Sequence, residues 1–271
     1  MPAVLIAAAV CPHPPLLIPE ATGVPGAGDA ELQELRTACH QAVSALLAER
    51  PELIAVVGGS GHTAGYPPRT PGRLHDFGIP FTTGGDHGPP FLPLSLTVGK
   101  WLLSGHGPLK AEWWGIASDA APAECLRLGG KLAALAPRVA LLAMGDGPAR
   151  RARAAPGAAD PEADRYDDRV AGALATADPG ALAALDPRQD GPLEVAGRAA
   201  WQVLAGAAGQ AAFDAELRYR GAPFEVSYVV AGWRRPHLAA WAPESSPWSG
   251  RPPPASPAWA SRWPARSAAR S

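Results

Sequence analysis

The sequence predicts a single α/β domain, with a mostly parallel central β-sheet flanked by helices and a disordered C-terminal tail. Three observations carry this prediction. Residues 4–10, 53–57 and 139–144 are short, uninterrupted apolar runs, the pattern of strands buried on both faces. Amphipathic helical stretches alternate with them, as βαβ units require. Gly- or Pro-rich segments bearing His13, His62 and Asp146 follow the three runs, where open α/β sheets place their ligands.

Taken in order, the first run ends at Cys11-Pro12-His13-Pro14-Pro15, where the prolines stiffen the backbone on both sides of His13. Asp29 is a candidate N-cap for a helix reaching Glu49, with Leu32, Leu35, Cys39, Val43 and Leu46 at helical spacing. The second run then leads into Gly58-Gly59-Ser60-Gly61-His62. Strand, helix and strand make a βαβ unit, so these strands are expected to be parallel neighbours or near-neighbours. Residues 63–93, rich in Pro, Gly and Thr and carrying His75 and His87, read as a long functional or mobile loop.

Residues 94–103 and 122–135 read as helices and 113–117 as a strand; the 139–144 strand ends in Gly145-Asp146-Gly147, ahead of Arg150 and Arg151. Further helices are expected over 161–176 and 194–208, the latter with Val195, Ala199, Val203 and Leu204 on one side. Residues 224–230 alternate apolar and polar and read as a final strand. From Pro243 the chain is rich in Pro, Ser, Ala and Arg without a period, too little apolar surface to offset the entropy of ordering. The expected division is a domain over residues 1–240 and a tail over 241–271.

Composition narrows the function classes. The chain has 271 residues, 47% of them hydrophobic, enough for one sizeable core. Its 24 Lys and Arg against 25 Asp and Glu leave a net charge of −1, which points away from a nucleic-acid or acidic-membrane partner. The three cysteines, Cys11, Cys39 and Cys125, form no CxxC pair and fit buried free thiols in a reducing cytosol. The first apolar run is too short for a membrane span and follows no basic segment, so a cytoplasmic protein is expected. Room remains for a homo-oligomer.

His13 and His62 are the leading candidates for chemistry. Neutral imidazole ligates iron, zinc and other divalent metals, and two histidines with one carboxylate make the facial site of a non-haem Fe(II) oxygenase. The alternative is that each histidine caps a strand end through hydrogen bonds of its own. Asp146, between glycines, either points its carboxylate into the cleft, where Arg150 or Arg151 pairs with it or with an anionic substrate, or closes an Asx-turn. Cys11 facing the core is an inert hydrophobe. His75 and His87 read as solvated loop residues, and His40, His106 and His237 as surface ones. Trp101, Trp113 and Trp114 line either a pocket or the core. No GxSxG elbow and no phosphate-loop signature is present.

The block from Cys11 to Glu20, Gly59-Ser60-Gly61-His62, His75-Asp76-Phe77-Gly78-Ile79-Pro80, Met144 to Arg151, and Gly197-Arg198-Ala199-Ala200-Trp201-Gln202 together resemble the class III (LigB-type) extradiol ring-cleavage dioxygenase superfamily. Within it the likeness is to LigB-like proteins of actinobacteria, over about residues 1–235. The resemblance implies one α/β domain with a cleft at the strand ends and two histidines and a glutamate on Fe(II). It further implies a histidine acid/base and a catechol-like aromatic substrate cut beside its diol. His13 and His62 match the two metal histidines.

Two departures accompany the match. Ala196-Gly197 stand where the superfamily's glutamate is expected; Glu194 is about one helical turn earlier, a displacement of roughly 4 Å, and Glu225 is the other nearby carboxylate. Asp146 and Arg150 stand where the acid/base histidine is expected. The resulting expectation is a metal site of His13, His62 and Glu194, with Asp146 and Arg150 as the catalytic pair. Fe(II) is the expected ion, with zinc or another divalent metal as the alternative. A catalytically inactive or Memo-like binding or scaffold protein using the same cleft, and a metal-dependent hydrolase working through Asp146 and a bound water, are the competing readings.

Overall fold

The computed structural model describes residues 4–21, 29–84, 88–149 and 160–236. Met1–Pro236 form one compact unit. The predicted tail, His87, Arg150, Arg151 and His237 lie outside the described residues. In chain order the elements are β1 (Val4–Cys11), α1 (Asp29–Ala48), β2 (Leu53–Ser60), β3 (Ala64–Tyr66), β4 (Gly72–Arg73), β5 (Thr82–Thr83), α2 (Leu94–Leu103), β6 (Ala111–Ala117), α3 (Pro122–Ala133), β7 (Arg138–Met144), α4 (Pro161–Ala175), α5 (Pro179–Ala183), α6 (Asp190–Leu193), α7 (Arg198–Ala208), β8 (Asp214–Gly221) and β9 (Tyr228–Arg234).

The seven-stranded sheet has the order β3-β6-β2-β7-β1-β9-β8. Its middle, β6-β2-β7-β1, is parallel, and β3, β9 and β8 are antiparallel additions at the edges. β1 and β2 are near-neighbours with β7 between them. Their sequences are apolar without alternation because both faces are covered. Ala8 and Val10 pack into one cluster with residues of α3, α4 and α7, while Ala9 and Cys11 pack into the other with residues of α1 and α2. No described helix is long and apolar enough to cross a membrane.

α3 and α7 cross at backbone contact. A Cβ on Gly129 would lie 2.0 Å from the Val203 carbonyl oxygen, and one on Gly206 would lie 2.1 Å from that of Leu126. The glycines let α7 lie close against its neighbour, which fixes where its amino-terminal end meets the sheet.

Two expected boundaries are corrected, and four strands, β8 and the short β3, β4 and β5, were not expected. The 194–208 helix is broken: α6 ends at Leu193, Glu194 takes a left-handed conformation with φ 54°, and α7 starts at Arg198. The last strand begins at Tyr228, because Phe224 and Glu225, with φ of 64° and 60°, form a 3-10 turn instead. β8 was hidden by its polarity, since Asp214, Glu216, Arg218 and Arg220 break any apolar run, as suits a strand at the sheet edge. The 63–93 loop also holds three short strands, β3, β4 and β5.

Candidate functional site

The parallel order β2-β7-β1 brings three strand ends to one edge. Cys11 and Gly58 both stand level with Met144, so the segments bearing His13, Asp146 and His62 leave the sheet side by side, with Asp146 in the middle. The Gly145 N–H donates to the Cys11 carbonyl at 2.9 Å, which carries the β1–β7 pairing one step past the strands.

His13 and Asp146 are joined there. The His13 backbone N–H donates to Asp146 Oδ1 at 2.7 Å. The same oxygen lies 3.4 Å from His13 Nδ1, within ion-pair distance; Nδ1 is buried and has no hydrogen-bond partner among the described residues. His13 is only 7% exposed. One carboxylate oxygen thus anchors the backbone of the proline-flanked turn and faces one ring nitrogen, which leaves Nε2 as the nitrogen turned away from it. This is how carboxylates commonly orient histidines that act through the other nitrogen. Asp146 is therefore a partner of His13 as well as a group at the cleft, and the pairing with Arg150 expected from the sequence lies outside the described residues.

The far wall is the segment between α6 and α7. The Ala196 N–H donates to the Asp146 carbonyl at 3.2 Å, and the Ala149 N–H to the Leu193 carbonyl at 2.9 Å. Contact is so close that a Cβ on Gly145 would lie 2.6 Å from Gly197 Cα, and one on Gly197 would lie 2.2 Å from the Trp201 ring. Gly197, half of the Ala196-Gly197 pair standing where a glutamate was expected, therefore has no space for a side chain. Trp201 is 1% exposed, and its Nε1 is buried without a partner near Gly145.

His62 lies on the same edge but is exposed, its ring centroid 6.5 Å from that of Tyr66, whose hydroxyl lies 3.4 Å from Ser60 Oγ. Glu194 is exposed and closes α6, its N–H donating to the Gly191 carbonyl at 3.3 Å. Among the described residues no three His, Cys, Asp or Glu side chains are grouped to hold a metal ion, so Glu194 is not brought together with His13 and His62. The reason is the break at Leu193, which takes Glu194 off the helix that was to present it. Glu225 is exposed in the 3-10 turn rather than on the last strand.

Several neighbours escaped the sequence reading. Tyr228 opens β9, which pairs with β1 as far as Val10 and Ala231, and it is buried within reach of the Asp146 charge. The Tyr228 hydroxyl is pushed well above the ordinary phenol range, first by burial and then by the Asp146 charge. The buried Ser227 ties this turn to β7: its carbonyl accepts from the Gly147 N–H at 2.8 Å, and its N–H donates to the Pro148 carbonyl at 2.9 Å. Behind the Trp201 wall the Arg198 side chain, 0% exposed, donates to Asp190 and to the Ala120 carbonyl, both at 2.7 Å, and to the Ser118 carbonyl at 2.5 Å.

Cys11 is fully buried and hydrogen-bonded with Cys39, whose thiol is raised above its ordinary range chiefly by burial. Both behave as core residues, not nucleophiles. Trp113 is core, under Lys100, and Trp114 lies against Lys131 and Gly65. His75 and His40 are exposed and His106 half-buried; burial first, and His106 second, hold the His40 imidazole below its ordinary range.

No family model matches this chain, and no curated protein does. Among solved structures it is similar to an uncharacterized protein from Escherichia coli K12, with 17% identity over 84% of this chain and 99% of that one, at a TM-score of 0.46.

Proposed function

We propose that the chain is an extradiol-dioxygenase-like metalloprotein, a non-haem Fe(II)-dependent oxidoreductase acting on a small catechol-like aromatic at the β1–β7–β2 edge. The observation that carries this reading is the His13–Asp146 pair: an imidazole at a strand end, its Nδ1 buried against a carboxylate. That donor chemistry fits a metal-binding histidine whose Nε2 takes the ion, with zinc or another divalent ion as the alternative occupant. His62, on the next but one strand, is the second imidazole. Among the described residues no group of three such ligands is present, so what supports the metal is the buried, carboxylate-facing His13, with His62 proposed as its companion from the end of β2.

In this reading the bound ion would supply a site that takes both oxygens of a diol and polarises them. The chain's own residues do the rest. Asp146 holds the His13 backbone and stands 3.4 Å from Nδ1, so the turn that carries the imidazole is already in place when a ligand arrives. The buried Trp201 packs against Gly145 and Gly197, and the Ser227 backbone ties its turn to Gly147 and Pro148, so both segments hold the Asp146 loop in place. Tyr228, its hydroxyl kept protonated by burial and by the Asp146 charge, would be available beside Asp146 as a hydrogen-bond donor.

The missing third ligand favours a second reading, a non-catalytic binding protein using the same cleft. Oxygen uptake separates the two. The protein reconstituted anaerobically with Fe(II) and exposed to air with a panel of catechols consumes oxygen in step with ring-cleaved product if the first reading holds. Binding of a catechol without oxygen uptake supports the second, and neither binding nor uptake removes both.

A further inference from the structure

At the opposite, amino-terminal edge of the sheet, the end of α1 and the starts of β2 and β6 border an open cavity of about 370 Å³, lined by Leu47, Arg50, Ile54, His106, Leu109 and Lys110, with Arg50 and Lys110 exposed at its rim. We propose that this cavity is a binding site for a small organic anion, a phosphomonoester with an apolar body.

Charge is sorted around it. Arg50, His106 and Lys110 border the cavity and no carboxylate does. The adjacent Glu49 instead borders a separate groove, together with Asp214 and Glu216. Arg50 and Lys110 are cations with no carboxylate on the same wall among the described residues; they repel one another and are relieved by an anion, and guanidinium and ammonium groups together suit a phosphate.

The backbone of Arg50 supplies an independent argument. Its φ is 52°, in the left-handed region, and its N–H donates to the Leu47 carbonyl at 2.9 Å to finish α1. Helices favour glycine at such a position, and a long side chain there is strained. Capping does not explain the arginine, because Arg138 already covers this helix end, its guanidinium donating to the carbonyls of Glu49 and Arg50. Nor does an ion pair, since the Arg50 guanidinium makes none among the described residues. What the side chain does gain is a place on the cavity wall.

Size and lining set the class of ligand. The open volume has room for more than a bare phosphate. Leu47, Ile54 and Leu109 provide apolar walls for the body of the ligand while the cations take its head.

Phenyl phosphate and inorganic phosphate, titrated calorimetrically into the full chain, are the probes. Phenyl phosphate is expected to bind saturably and at least about tenfold tighter than inorganic phosphate, and Arg50→Gly and Lys110→Met each to weaken it about tenfold or more. Arg50→Gly is expected to melt at or above the wild-type temperature, because glycine relieves the left-handed strain, so its loss of binding cannot be put down to misfolding. Absence of saturable binding at millimolar phenyl phosphate overturns the proposal, as does wild-type affinity in both variants. Binding confined to vesicles carrying phosphatidic acid overturns it as well, because it transfers the phosphate to a lipid surface.

Discussion

Replacing Asp146 by asparagine and by alanine separates its two jobs, anchoring the His13 backbone and facing the His13 ring. Asp146 Oδ1 accepts the His13 N–H at 2.7 Å and stands 3.4 Å from Nδ1. Asparagine keeps a neutral acceptor for the N–H and loses the charge. A charged acceptor is worth about 1.5–3 kcal/mol and a neutral one about 0.5–1.5 kcal/mol, so Asp146→Asn is expected to cost about 1 kcal/mol of folding stability. Alanine leaves a buried N–H with no acceptor, and the desolvation penalty brings its cost to about 2–3 kcal/mol. Urea unfolding with an unchanged slope measures both. Fe(II) affinity should fall about 10- to 100-fold in each variant, because the ring loses the carboxylate that sets its orientation. If Asp146→Ala unfolds within about 0.5 kcal/mol of wild type, the anchoring argument is wrong. If Asp146→Asn binds Fe(II) like wild type, the carboxylate does not orient His13.

The wall behind the site makes further predictions. Arg198→Met removes a buried guanidinium from Asp190 and should cost about 3–5 kcal/mol at neutral pH, measured by thermal or urea unfolding. Burial already raises the Asp190 carboxyl above 3.8, against the pull of Arg198. A carboxyl whose pKa is raised on folding favours the folded state at low pH and opposes it as pH rises. Removing Arg198 raises that pKa further, so the cost should be greatest at neutral pH and shrink toward about pH 4; a cost that grows on acidification would contradict the assignment. Gly129→Ala would place its Cβ 2.0 Å from the Val203 carbonyl oxygen and should cost about 3 kcal/mol by forcing α3 and α7 apart, seen as a lowered melting temperature and altered near-UV dichroism.

The architecture was legible where burial on both faces removes polar residues. The runs of β1, β2 and β7 stand out for that reason, and α1 is readable from Leu32, Leu35, Cys39, Val43 and Leu46. The edge strand β8 was not legible, since charged residues on an exposed strand carry no apolar signal. Left-handed residues defeated the boundaries elsewhere: Glu194 ends α6 and Phe224 and Glu225 delay β9, although none is the glycine such conformations favour. At the site, strand-end placement of His13, His62 and Asp146 followed from parallel order alone. The His13–Asp146 contact did not, because residues 133 apart are joined only by register. Nor could periodicity show that Gly197 is a glycine forced by the Trp201 ring; the helical carboxylate close by was expected from the family resemblance.

The account rests on His13 and His62 holding one divalent metal at the strand ends. Metal analysis and Fe(II) titration of protein purified without oxygen, with His13→Ala and His62→Ala alongside, test this most directly. The account predicts stoichiometric metal in the wild type and its loss in both variants, each still folded by circular dichroism. A wild type that takes up no stoichiometric metal, or variants that both retain it, would contradict the account.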